Sequence, residues 1–245
     1  MENLSQIPQS VVLLILPVLN ERSNLEILIP RLRKNFPDIT ILIVDDNSTD
    51  GTVDFVSKLQ ATTSKIHYIR RLEKRGIGDA HLTGISQGIK DDFDFIITMD
   101  ADLTHRVEDI DLFMGASPKF DLVIGSRYLN DSNMFGWSVF RRLLTKGGHL
   151  ATWLAFQSKL DMSSGMRRYR TDSLPLNLME SNCPPDYAFF FVSAVLFKAL
   201  RREITQVPIV LDSRNFGHSK MSPVLVWKGL SLLLLFGLRI KRIKL

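Results

Sequence analysis

Two groups of carboxylates, Asp45-Asp46 and Asp100-Ala101-Asp102, are the side chains of this chain best placed to do chemistry. Each follows a short apolar run of strand character, residues 41–44 and 95–99. At the carboxyl ends of parallel strands, such residues face the crevice in which α/β sheets bind ligands. Asp100 and Asp102 alternate around a small alanine, so both can turn toward one cation. Hard divalent cations take oxygen ligands, and Mg²⁺ is usually held by one or two carboxylates together with substrate phosphates. The pattern predicts a nucleotide diphosphate held through a metal.

Asp-x-Asp alone is a weak signal, but four more polar motifs accompany it. Pro17-Val18-Leu19-Asn20-Glu21 follows the first apolar run, and Asp45 through Thr52 follow the second. Arg71-x-x-Lys74-x-Gly76-x-Gly78-x-Ala80 follows the third. Asp100 through His105 follow the fourth, and Gly125-Ser126-Arg127-Tyr128 the fifth. Five motifs at five strand ends predict one shared face. A dinucleotide fingerprint is excluded, because Gly76-x-Gly78 is followed by His81 where the third glycine should stand.

The elements that must carry these motifs read as strands alternating with helices. Strands are expected at 11–16 (ended by Pro17), 39–44, 66–69, 93–99, 122–124 and 204–210. Leu25, Leu28, Ile29 and Leu32 recur at helical spacing after a cap at Asn20 or Ser23. Further helices are expected through Phe55, Val56 and Leu59, and at 79–89, 139–156 and 189–200, with a loop at 177–185. Alternation of this kind predicts a mostly parallel, doubly wound α/β sheet. The expected organisation is a flexible lead-in at 1–8, one catalytic domain at 9–221 and a C-terminal segment at 222–245.

Length and composition agree. A chain of 245 residues with 45% hydrophobic content can bury one large α/β core. A single cysteine, Cys183, excludes an intrachain disulfide. The net charge of +5 is spread over separated Arg and Lys pairs with no aromatic interleaving, so nucleic acid is not an expected partner. The first ten residues are polar and do not read as a signal peptide. Residues 224–238 are apolar apart from Lys228, Ser231 and two glycines, and Arg239, Lys241, Arg242 and Lys244 follow. As a helix this stretch would be about 22 Å long, short of a bilayer span. It suits an anionic membrane surface or a groove on a membrane-anchoring subunit.

Taken together, the motifs P-x-x-N-E, D-D-x-S-x-D-G-T, R-x-x-K-x-G-x-G-x-A, M-D-A-D-L-x-H and G-S-R-Y resemble the family 2 glycosyltransferases, and within them the dolichol- or polyprenol-phosphate mannosyltransferases. Gly136-Trp137 with Arg141 and Lys146-Gly147, Ser164-Gly165-Met166-Arg167, and Arg214 through Lys220 extend the likeness over about residues 10–221. The resemblance implies a GT-A type, Rossmann-like fold and an inverting, metal-dependent transfer. The donor would be a nucleotide sugar, GDP-mannose being the commonest, and the acceptor a polyprenyl phosphate at the cytoplasmic face of a membrane. It implies that Pro17, Leu19, Glu21, Ile43, Asp45 and Asp46 line the nucleoside end, and that Lys74 and Ala101 also bind the nucleotide sugar. Asp100, Asp102 and Thr104 would hold Mg²⁺ or Mn²⁺, and Arg127, Arg141, Arg214 and Lys220 would surround phosphates. Asp102, Arg127 and Arg141 would carry the catalytic step.

Leu19 stands where the family usually has Tyr, Thr104 where it has Gln, and residues 189–194 lack its usual Glu. Other sugars, a hydroxyl acceptor, or a silent nucleotide-sugar-binding subunit are the alternatives. A hydroxyl acceptor would need a carboxylate base near residues 164–167, and Asp161 is the acidic residue closest in sequence. Deleting residues 224–245 is expected to move the protein from the membrane to the soluble fraction on centrifugation of a cell lysate. An unchanged membrane fraction would refute the assignment of that segment.

Overall fold

Branched aliphatic residues fill the first two strands so densely that both faces must be covered, as in a parallel sheet between helix layers. The computed structural model describes residues 11–73, 75–129, 147, 149–150, 152–154 and 158–212. Seven strands form one sheet: β1 (Val12–Val18), β2 (Thr40–Asp45), β3 (Ile66–Arg70), β4 (Phe95–Thr98), β5 (Leu122–Ser126), β6 (Arg167–Arg170) and β7 (Ile204–Pro208). Their spatial order is β3-β2-β1-β4-β6-β5-β7. All pairings are parallel except those of β6, which runs antiparallel to both β4 and β5.

Helices α1 (Arg22–Asn35), α2 (Thr52–Thr62) and α4 (Ile110–Met114) cover one face. There Leu25, Leu28, Val56, Ile110 and Phe113 pack against Leu14, Leu16, Ile41 and Ile43. Helices α3 (Ile77–Lys90), α5 (Leu176–Asn182) and α6 (Ala188–Ala199) cover the other. Ala80, Ile85, Met179, Phe189 and Phe197 meet Leu13, Ile15, Leu42 and Ile96 there. Glycines let α3 lie directly on the sheet. A Cβ at Gly84 would stand 2.7 Å from Ile15 Cγ2, and one at Gly88 2.7 Å from Ile96 Cδ1.

The mostly parallel α/β architecture matches expectation, with four differences. First, β1 does not stop at Pro17 but continues to Val18, in register with Val44 and Asp45 of β2. Val18 O accepts from the Asp46 amide, so Val18 bonds toward β2. Alternation turns Pro17 toward β4, whose pairing with β1 ends at Ile15 and Thr98. The missing N–H of proline therefore breaks no ladder bond. Second, α1 starts after Glu21, with no side-chain cap from Asn20 or Ser23. Third, part of the expected loop at 177–185 is helical, namely α5. Fourth, β6 was not expected as a strand. The helix expected at 139–156 falls mostly outside the described residues; the described positions 147, 149–150 and 152–154 are helical. The C-terminal helix lies wholly outside them. Among the described residues no helix is long and apolar enough to cross a membrane.

His81 of α3 is fully buried between Phe189, stacked at 5.7 Å, and Phe190, edge-on at 5.0 Å. Neither ring nitrogen has a hydrogen-bond partner. Burial first, then the neighbouring Arg167, His105 and Arg71, lower its pKa from 6.5 to about 3. The folded state thus holds this ring neutral where the unfolded chain would protonate it. Its contribution to stability is complete above pH 6.5 and is lost as pH falls toward 3, by up to about 1.4 kcal/mol per pH unit. His81→Phe is expected to flatten the acid side of the stability curve, measured as urea midpoints at pH 7.5, 6 and 5. A constant difference between variant and wild type at all three values would contradict this.

Candidate active site

The chain order places a switch point between β1 and β4, since β2 and β3 extend the sheet one way from β1 and β4 the other. Ligands of open α/β sheets bind in the crevice outside such a point. The loop after β1 and the acidic loop after β4 flank it, as the motif spacing predicts. The loops after β2, β3 and β5 leave the same edge, because those strands run parallel to β1 and β4.

Many motif residues turn out to tie these loops to one another. Asn20 lies at φ +56°. Its amide donates to Ser48 Oγ at 2.8 Å and its Oδ1 accepts from the Thr49 amide at 2.8 Å. Asp50 accepts from the Arg22 amide at 2.9 Å and from the Thr52 hydroxyl at 2.6 Å, joining the starts of α1 and α2. Half-buried Leu19 and Glu21 lie between them, and Glu21 Oε2 accepts from Asn24 Nδ2 at 2.6 Å.

The adjacent Asp45 and Asp46 point to opposite faces of the sheet. Asp45 is fully buried: one oxygen accepts from the Ser48 amide at 2.9 Å and hydroxyl at 2.5 Å, the other from Tyr68 Oη at 2.6 Å. Burial, then the Asp45 hydrogen bond and charge, raise the Tyr68 pKa well above its ordinary value, so its proton stays in that bond. Asp46 pairs with Arg71 Nη2 at 2.6 Å and accepts from the amides of Arg75 and Gly76 at 2.9 and 3.0 Å. Arg71 also reaches Asp79 and the Gly76 carbonyl. Asp46 thereby fixes the loop that leads into α3. Ile43 packs in the apolar core beneath.

The glycines of that loop serve close packing. A Cβ at Gly76 would lie 2.5 Å from Pro185 O, and one at Gly78 2.6 Å from the carbonyls of both Pro184 and Asp186. The Gly78 amide donates to Pro185 O at 2.7 Å, so a backbone carbonyl already occupies the N-terminus of α3.

The acidic loop after β4 has a different character. Thr104 donates to Asp102 Oδ1 through its hydroxyl at 2.6 Å and its amide at 3.1 Å. The Thr104 hydroxyl, expected at the metal, is turned to Asp102 and aims it. Leu103 takes φ +62° to let the loop turn. The Asp100 amide donates to His105 Nδ1 at 3.2 Å. That nitrogen is thus an acceptor, and its 4.0 Å approach to Asp100 Oδ2 is no ion pair. Ala101 is buried in the core. The Asp100 carboxylate is partly exposed beside Gly165, where a Cβ would stand 3.3 Å from Oδ1 and 3.7 Å from Oδ2. Thr98 Oγ1 holds the Gly165 carbonyl at 2.7 Å.

Across β6, at the end of β5, Arg127 meets Asp161 in a forked pair. Nε donates to Oδ2 at 2.8 Å and Nη2 to Oδ1 at 2.7 Å, and Nη2 also reaches the Ser163 hydroxyl. Burial opposes the charge on Arg127, but Asp161, with smaller help from Tyr128 and Asp100, holds its pKa above the ordinary arginine value. Burial likewise opposes the charge on Asp161, yet Arg127 and Ser163 keep it below the usual carboxylate range. Asp161 is thus a committed counter-ion, poorly suited to accept a proton from a hydroxyl group.

Arg167 is fully buried and donates to the carbonyls of Met162, Ser164 and Phe190 and to Ser193 Oγ, each at 2.8–2.9 Å. Ser193 lies in the stretch that lacks the expected carboxylate, and the guanidinium takes carbonyl partners in its place. Tyr68, Ser163 and the pairing role of Asp161 carried no signal in the sequence; only the fold sets them against the motif residues. Lys74, Arg141, Arg214 and Lys220 lie outside the described residues. The described chain ends at Asp212, whose amide bonds Thr104 O at 2.9 Å and whose carboxylate grips Arg106.

The family model for glycosyl transferase family 2 matches residues 13–182. The chain belongs to that family. An undecaprenyl-phosphate mannosyltransferase of Micrococcus luteus is 33% identical over 212 residues, 86% of this chain and 87% of that protein. A polyprenol monophosphomannose synthase of Mycolicibacterium smegmatis is 30% identical over 220 residues, 88% of this chain and 82% of that protein. Among solved structures, glucosyl-3-phosphoglycerate synthase from Mycobacterium tuberculosis, in complex with Mn²⁺, UDP and phosphoglyceric acid, superposes with a TM-score of 0.63 at 17% identity. The match covers 94% of this chain and 78% of that one. That likeness carries the fold, a GT-A-like mixed α/β sheet, and the family carries the activity class: this is a glycosyltransferase.

In this family 2 domain, Gly165→Ala is expected to keep the fold while crowding Asp100. Activity should drop at least tenfold with a melting temperature within a few degrees of wild type. Unchanged turnover would show that the space beside Asp100 is not used.

Proposed function

We propose that this glycosyltransferase moves a mannosyl group from a nucleotide sugar, GDP-mannose, to a polyprenyl phosphate, with a divalent cation at Asp100 and Asp102. The observation that carries the reading is the pairing of an acidic loop with a charged, held Arg127 across one crevice, in a chain 33% identical to an undecaprenyl-phosphate mannosyltransferase. The donor set suits Mg²⁺ or Mn²⁺. It consists of hard carboxylate oxygens, Asp100 lies in a cradle that a Cβ at residue 165 would fill, and Asp102 is aimed by Thr104. Among the described residues no group of three or more His, Cys, Asp or Glu could hold a metal. The two carboxylates would therefore share the ion with donor phosphates and water, as Mg²⁺ commonly requires. Mn²⁺ is the ion in the structural neighbour. When bound, the cation acts as a Lewis acid that offsets charge on the departing diphosphate.

The residues of the chain do the rest by positioning. The loops after β1 and β2, fastened through Asn20, Ser48 and Asp50, would shape the nucleoside end, with Pro17, Leu19 and Glu21 at its rim. Arg127 would face the acceptor phosphate, joined by Arg141, Arg214 and Lys220, with Lys74 on the donor side. A phosphate monoester has its second pKa near 6, so near neutral pH it is already largely dianionic. It needs orientation and charge neutralisation, not a base. This agrees with the condition of Asp161, the acidic residue closest in sequence to residues 164–167, which is locked to Arg127. A hydroxyl acceptor, which needs a general base, is correspondingly disfavoured.

The work site would be the cytoplasmic membrane face, reached through residues 222–245 or a membrane-anchoring subunit. The test is incubation with labelled GDP-mannose, GDP-glucose, UDP-glucose and UDP-galactose, each with polyprenyl phosphate and Mg²⁺ or Mn²⁺. Labelled lipid from GDP-mannose alone, lost with EDTA and lost at least 100-fold in Asp102→Asn, is the expected outcome. Transfer to saccharides but not to lipid phosphate would overturn the acceptor, and full activity in EDTA would overturn the metal.

A further inference from the structure

We infer that Asp161, braced by Ser163, is a positioning residue that presets the Arg127 guanidinium for the acceptor phosphate; this rests on the role proposed above for Arg127. Asp161 lies 34 residues from Arg127 in sequence, in the segment that turns into β6. It is fully buried, and its own backbone is pinned, the Asp161 amide donating to Gln206 Oε1 of β7 at 2.8 Å. Both carboxylate oxygens are spent on Arg127. Oδ2 takes Nε and also the Arg127 amide at 3.2 Å, and Oδ1 takes Nη2 and the Ser163 hydroxyl at 3.1 Å. The Tyr128 ring lies 5.5 Å from the guanidinium carbon and is itself stacked on His149 at 3.9 Å.

An arginine side chain has four soft torsions, and a forked carboxylate fixes the plane and rotation of its head group. Two of its three nitrogens are committed to Asp161 and Ser163. Among the described residues the third, Nη1, is the one left to meet an incoming phosphate oxygen, in an orientation set before the ligand arrives. A donor already held in place needs no reordering when the acceptor phosphate docks. A surface arginine without such a brace would have to be ordered at the moment of binding.

The experiment is a double-mutant cycle of Arg127→Ala and Asp161→Asn, with Ser163→Ala alongside, in the full chain. Folding is checked by circular dichroism and thermal melts. kcat and the donor and acceptor KM values are taken with labelled GDP-mannose and polyprenyl phosphate, and solvent exchange of the Arg127 Nε proton is followed by nitrogen-15 NMR. Asp161→Asn is expected to lower kcat at least tenfold with donor KM within threefold. It should lower it less than twofold when Arg127 is already alanine. The slow Nε exchange of wild type should become fast in the variant. An equal loss in both backgrounds, or an unchanged exchange rate, would overturn the inference. If Asp161→Asn fails to fold, Ser163→Ala decides: a fall in kcat at constant donor KM supports the brace, and no fall overturns it. A wild-type protein inactive on lipid phosphate would defeat the proposed function instead, and the exchange measurement would still judge the brace.

Discussion

The antiparallel strand β6 is the element on which the site depends. It lies between β4 and β5, with Arg167 opposite Thr98 on one side and Ile124 on the other. The chain entering it must pass the carboxyl ends of both neighbours. That passage sets Gly165 against Asp100, Asp161 and Ser163 against Arg127, and the Arg167 guanidinium under α6. Without it the acidic loop and the basic loop would sit on separate strand ends with nothing to fix their spacing. Its two buried arginines show how firmly it is held. Arg168, on the face opposite Arg167, donates to the carbonyls of Phe113, Ala116 and Ser117. Burial and the nearby Arg170 lower its pKa to about 10, which leaves it charged at neutral pH. Buried cations persist only where hydrogen bonds replace their lost hydration.

The carboxylates around the crevice divide by what occupies their oxygens. Asp45, Asp46 and Asp50 are consumed by hydroxyls, amides and Arg71, and they tie the loops after β1, β2 and β3 into one rim. Asp102 is held by the Thr104 amide and hydroxyl, and the Asp100 carboxylate stays partly exposed beside Gly165. Asp161 is a counter-ion. Six acidic residues of similar appearance thus take three kinds of work, and the division follows from the donors each strand end brings within 3 Å.

Much of this was legible in the sequence. The alternation of apolar runs with helical spacing gave the parallel layers, and the motifs at the strand ends gave the crevice. The rest was hidden for identifiable reasons. Strand β6 reads Arg-Arg-Tyr-Arg, a polar run with no apolar alternation; its buried Arg167 bonds carbonyls of the preceding turn and of Phe190, and Arg168 those of residues 113–117. Pro17 looked like a strand end because only the sheet order reveals that its nitrogen faces away from β2. Gly76 and Gly78 fall short of a dinucleotide fingerprint, and the reason for them, contact with the backbone of residues 184–186, lies far along the chain.

The sequence by itself determined the residue types: hard oxygen ligands for a divalent ion, cations for phosphates, and apolar runs that oblige a two-sided sheet. Local chemistry suffices for these, since periodicity and spacing act over a few residues. Only the tertiary structure decided which of those residues face the crevice and which fasten it. A carboxylate's role depends on who donates to it, and the donors to Asp45, Asp46 and Asp161 come from 2 to 34 residues away. Long-range pairing of β6 with β4 and β5 sets those distances, and no local pattern encodes them.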